Sequence, residues 1–183
     1  MLILVAYLLT FATGLGCALT AHTELRTGSG KAPIVRVWSA YACFELILLL
    51  PVTIYFYVFH GDWFLTYFIS SGEIPSAVAL VGFLIQIGLG AVGFWLGLRL
   101  VRSEQRSLGW MCGGVVCALL LAIFWMIQRR VRWVGSYEQY QGKYGLVFFG
   151  ENAGLVWGAV ILGLLLVVGY GYLILHLIRI RRG

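Results

Sequence analysis

Apolar residues in this chain run in long continuous blocks and do not alternate with polar ones. Five blocks, at about 1–21, 37–60, 77–101, 108–128 and 153–178, are each bounded by charges or turn residues. As an α-helix, a block of ~20 residues rises ~30 Å, which matches the hydrocarbon thickness of a bilayer. A membrane β-strand would be about half that length and would alternate in polarity. A helix also satisfies its backbone N–H and C=O groups within its own segment, as lipid requires. The pattern predicts an all-α integral membrane protein, a bundle of about five transmembrane helices joined by short loops. The whole chain, 1–183, reads as one polytopic domain, because no loop is long enough to build a soluble one. The first block lacks a basic leader and its apolar part is long, so it is expected to be a retained span and not a signal peptide.

Composition agrees with the pattern. Hydrophobic residues make up 61% of the chain and charged residues 11%, with a mean hydropathy of +0.93. A soluble domain carries about 25% charged residues, so this chain has too little polar material to cover a water-facing surface. The net charge of +6 is mostly a topological signal. Arg26, Lys31 and Arg36 follow the first block, Arg99, Arg102 and Arg106 follow or flank the third, and Arg179, Arg181 and Arg182 end the fifth. Basic residues favour the cytoplasmic side, so the N-terminus is expected outside and the C-terminus in the cytoplasm. The expected location is the cell inner (plasma) membrane. No basic stripe lies on a soluble module and no recognition motif is present, so nucleic acid is not an expected partner. Phospholipids are expected partners, through headgroup contacts with these basic ends.

Small residues recur at helical spacing. Gly82, Gln86, Gly90, Gly93 and Gly97 fall within ~80° of one another on the third helix. Gly93 with Gly97, and Gly154 with Gly158, are spaced as G-x-x-x-G. Ala6, Thr10, Thr13, Cys17 and Ala21 form a stripe on the first helix, and Gly109, Gly113 and Cys117 one on the fourth. Lipid tails provide no hydrophobic drive between helices, so close backbone approach at small residues holds such bundles together. These faces predict tight packing within the chain, self-association, or contact with other membrane subunits. Cys17, Cys43, Cys112 and Cys117 all fall inside blocks without C-x-x-C or zinc spacing, and read as small packing residues.

Candidate chemistry is sparse. Glu45 is the ionisable side chain deep in a block, ~12 Å along the second span. An intramembrane carboxyl costs ~2.5–3.5 kcal/mol on insertion scales, and such groups mark proton relays, ion sites or ligand counter-charges. Tyr41, four residues earlier, is placed to hydrogen-bond it; Thr10 or Thr13 of the first span is an alternative, purely structural partner. Gln86 sits on the glycine face of the third span and is expected to bridge helices. Pro51 removes a backbone bond six residues after Glu45 and predicts a kink. In the outer loops, Asp62 precedes an aromatic run that reads as an interfacial helix. Arg129, Arg130, Arg132 and Trp133, followed by Tyr137, Tyr140 and Tyr144, read as an aromatic belt with headgroup contacts, or as a docking surface for a partner. His22, His60 and His176 lie at span ends and read as interfacial anchors.

No nucleophile elbow, zinc-protease helix or phosphate loop occurs, and no paired carboxylates are spaced for acid–base work. No cofactor and no metal is expected. The sequence reads most directly as a non-catalytic integral membrane subunit that packs with partner subunits and lipids in a larger inner-membrane complex. One alternative is a small transporter or channel component using Glu45 as a proton or cation site. A further one is a lipid- or quinone-handling membrane enzyme that holds an anionic headgroup on its outer arginines.

Overall fold

A computed structural model describes residues 2–28, 30–59, 76–133 and 153–182. Every regular element among them is helical. Helix α1 (Leu2–Thr20) is followed by the short α2 (His22–Thr27) and by α3 (Ala32–Phe44). A π-helical turn, Glu45–Leu49, leads without a break into α4 (Leu50–Phe59). Then come α5 (Ser76–Arg102), α6 (Arg106–Trp133) and α7 (Ala153–Arg182).

Four helical stretches are long and apolar enough to cross a membrane: Ala32–Tyr55, Leu80–Arg102, Arg106–Ile123 and Val160–Ile180. Leu4–Thr20 is apolar but shorter. The second helix starts earlier than its apolar block because Pro33 opens it, where its missing N–H removes no intrahelical bond. The π turn is where sequence reasoning expected only a kink. The N–H of Leu50 reaches back five residues to the Glu45 carbonyl. Pro51 has no N–H to give the turn before it, so the helix widens there instead of holding strict α register.

Helix α1 runs parallel to α5 with almost no space between the backbones. A Cβ on Gly93 would collide with the Phe11 carbonyl, and one on Gly14 with the Gly90 carbonyl. Gly97 lies over Ala18, and the Tyr7 hydroxyl donates to the Gly82 carbonyl at 3.1 Å. The second span (α3, the π turn and α4) runs antiparallel to both α5 and α7. Phe94 of α5 meets Trp38 and Tyr41, with ring centroids 5.0 and 6.3 Å apart. Phe44 meets Tyr170 of α7 at 4.6 Å. Gly169 takes the Leu48 side chain, and Gly158 lies under the Tyr55 hydroxyl. The core where these helices meet contains Leu15, Leu19, Val37, Leu49, Phe94, Val101, Leu173 and Leu177, all buried.

The basic segments collect at one end of the bundle. Arg26 of α2 pairs with Glu104 in the α5–α6 turn, and Arg36 of α3 pairs with Glu24 of α2 at 3.0 Å. Glu104 itself sits in the left-handed region at φ 62°. Backbone bonds from Glu104 to Val101 and from Gln105 to Leu100 close the end of α5 around it.

Two sequence expectations are corrected by the packing. Cys17 is buried, but Cys43, Cys112 and Cys117 are exposed, so only Cys17 is a packing residue. On α6, Gly109 lies against Leu19, whereas Gly113 has open space around it. The small-residue stripe of that helix is used within the chain only at its first turn.

Candidate functional site

Midway along the bundle, three polar side chains from three spans converge on one carboxyl. Glu45 opens the π turn and is 2% exposed; Gln86 and Thr10 are fully buried at 0%, and Tyr41 is buried beside them. Gln86 Nε2 donates to Glu45 Oε1 at 3.2 Å and to Thr53 Oγ1 at 3.2 Å. The Tyr41 hydroxyl donates to Glu45 Oε2 at 3.5 Å, the outer limit of a hydrogen bond. Thr10 Oγ1 reaches the same carboxyl from α1, without a bond of standard geometry. One layer away, Thr13 donates to the Leu9 carbonyl and shares a 2.7 Å hydrogen bond with the Tyr170 hydroxyl of α7.

Each helix brings its group for a local reason. Tyr41 and Glu45 stand four residues apart, on one face of the second span. In an unbroken α-helix Thr53, eight residues on, would lie ~80° away from Glu45 around the axis. The π turn absorbs about one residue of rotation, which brings the two to within ~20°. Both then face Gln86. Gly90, one turn after Gln86, leaves the room the Tyr41 hydroxyl occupies: a Cβ there would overlap it. The glycine face of α5 thus both packs α1 and opens space for the centre.

The accounting of polar atoms leaves one acceptor over. Gln86 Oε1 is buried and has no hydrogen-bond partner among the described residues, whereas the Thr10 hydroxyl lies against the Glu45 carboxyl and can donate to it. Buried polar groups are bonded in more than about nine cases in ten, so each exception calls for an explanation. Neither ion pair among the described residues involves Glu45; both lie at the exposed basic end. The centre is a group of polar side chains around one acid, and among the described residues no basic side chain balances it. Such a set can bind a proton, a water, or a small hard cation that prefers oxygen ligands.

The structure sets Tyr41 and Thr10 beside Glu45, as the sequence suggested, and brings to them Gln86, which sequence reasoning named separately. It adds Thr53, which was missed because it stands off-face in a regular helix. It also pairs Thr13 with Tyr170 and not with Glu45. Gly82, Gly90, Gly93 and Gly97 line the α1–α5 contact, and Gly158 the contact with α4. Gly154 lies in the first turn of α7. Arg129, Arg130, Arg132 and Trp133 fall in the final turns of α6, while Tyr137, Tyr140 and Tyr144 lie outside the described residues, as does the aromatic run after Asp62. His22 bonds the Leu19 carbonyl through Nδ1 and His176 stacks on Tyr172, so the two make separate local contacts.

Fold and centre together define the class: an all-helical membrane-embedded protein with a buried polar centre at mid-depth. Comparison with protein families, with curated proteins and with solved structures finds no match.

Proposed function

We propose that this chain is a small transporter or channel component of the cell inner membrane, and that Glu45 is its proton- or cation-binding group. The observation that carries the reading is the buried carboxyl itself: among the described residues Glu45 has no basic partner, and the Gln86 Oε1 beside it accepts no hydrogen bond. The π turn adds support, since such turns occur frequently at functional sites. Gln86, Thr53 and Tyr41 orient the carboxyl, and Thr10 closes the centre from α1.

In this reading α1 is a fifth span. Its 19 residues amount to ~28 Å of helix, close to the ~30 Å of bilayer hydrocarbon. Its parallel course beside α5 supports a path that crosses five times, with the N-terminus outside and the C-terminus in the cytoplasm. The common end shared by Arg26, Arg36, Arg102 and Arg106 would then face the cytoplasm.

A second reading is favoured by a different observation. Helices α6 and α7 carry large apolar side chains that no described residue covers, among them Leu121, Leu164, Val167, Val168 and Leu175, all more than half exposed. A non-catalytic subunit that packs with partner subunits would use such faces.

Flux measurement separates the two. The full chain, reconstituted in liposomes with an entrapped pH or sodium indicator, is expected to dissipate an imposed ion gradient, and Glu45→Gln to slow this at least about tenfold, in line with loss of an essential proton or ion carrier. Flux no faster than in protein-free vesicles, for both proteins, would overturn the transport reading and leave the packing subunit.

A further inference from the structure

At the basic end of the bundle a groove of about 470 Å³ opens between α1, α2, α6 and α7, lined by Leu19, Thr20, His22, Arg106, Trp110 and Ile178. The lining is mostly apolar, with Leu19, Trp110 and Ile178 among its walls, and Arg106 and His22 contribute its basic members. Arg106 is half-buried and makes neither of the ion pairs found among the described residues, although Arg26 and Arg36 close by are both paired. A half-buried arginine lining an apolar groove, four residues from the exposed Trp110 at the basic end of the bundle, is placed where a membrane protein meets lipid headgroups.

We propose that this groove binds one anionic phospholipid, with its phosphate on Arg106 and one acyl chain lying along Leu19, Trp110 and Ile178. The charge selects the occupant. A guanidinium presents paired N–H donors that match two phosphate oxygens, and the uncovered charge of Arg106 and its basic neighbours disfavours a cationic or purely apolar guest. The trough selects a lipid over free phosphate, because an inorganic anion would leave the Leu19, Trp110 and Ile178 walls without contact. The site is separate from the Glu45 centre and stands whether or not that centre carries ions. It also differs from the outer arginines that the sequence suggested for headgroups, since it lies at the opposite end of α6.

The test is native mass spectrometry of the full detergent-purified chain against equimolar phosphatidylglycerol and phosphatidylcholine. The wild-type chain is expected to retain one phosphatidylglycerol in preference to phosphatidylcholine. Arg106→Gln is expected to lower that preference about fivefold, the weight of one basic side chain at an anionic surface. Ile178→Trp, which fills the trough and leaves the charge, is expected to lower retention of both lipids. Arg102→Gln removes an equal charge at the same end, outside the groove, and is expected to keep the preference. Equal losses in Arg102→Gln and Arg106→Gln would reduce the effect to diffuse surface charge and overturn the site. Unchanged retention in Ile178→Trp would overturn it as well, as would displacement of the lipid by millimolar inorganic phosphate.

Discussion

At the scale of single residues, the centre depends on which atoms lack partners. Gln86 is the main donor to Glu45, because the Tyr41 bond is long. Replacing Gln86 with Leu removes that donor and also strips Thr53 of its contact. The expected loss is about 1–3 kcal/mol, read as an earlier midpoint when the protein is unfolded with SDS in mixed micelles. Tyr41→Phe should shift that midpoint much less. Glycines offer a sharper contrast. Gly93→Ala forces a methyl into the Phe11 carbonyl and is expected to destabilise by about 1–3 kcal/mol. Gly113→Ala meets open space and should leave the same midpoint unchanged. Sequence spacing exposed Gly93 and Gly113 equally, as members of small-residue stripes. It had no means to separate them, because periodicity identifies a face but not the helix that covers it.

At the scale of the element, the π turn makes a polar pair out of two residues that an ideal helix would keep apart. Deleting Ile47, an exposed residue within the turn, takes out the one residue the turn accommodates, so it should restore α register while Thr53 stays within ~20° of Glu45 and still faces Gln86. Cysteines placed by Thr53→Cys and Gln86→Cys in a background free of native cysteine report this directly. They are expected to cross-link in the unmodified helix and to cross-link still after the deletion. Loss of cross-linking on deletion would show that the turn holds no extra residue and does not set the pairing. Pro51 was the visible sign of irregularity in the sequence. Its consequence was not legible there, since a missing N–H allows a kink, a tightened turn or a widened one, and packing against α5 and α7 decides among them.

For the whole molecule, the order of apolar blocks and their basic flanks made the helical class and most span positions legible. What they could not supply was adjacency. The parallel seam between α1 and α5 joins helices separated by the entire second span, and the charge pairs that gather one end, Arg26 with Glu104 and Arg36 with Glu24, join α2 to the α5–α6 turn and to α3. Orientation is a matter for experiment. Lys31→Cys and Ser103→Cys should react with an impermeant thiol reagent only after cells are permeabilised, in a background without native cysteines. Labelling of intact cells at both positions would invert the bundle without altering its packing.

The separation of α1 and the second span from α5 also has a temporal side. Glu45 leaves the ribosome 41 residues ahead of Gln86, an interval of roughly 2–8 s at ordinary elongation rates. Throughout that window the nascent hairpin holds a carboxyl in or near lipid before its main donor exists. Insertion of α5 therefore completes the polar contact and seats the glycine seam in the same event. A chain halted before that point would hold its acid on Tyr41 and Thr10 alone, with the glycine seam of α1 still facing lipid.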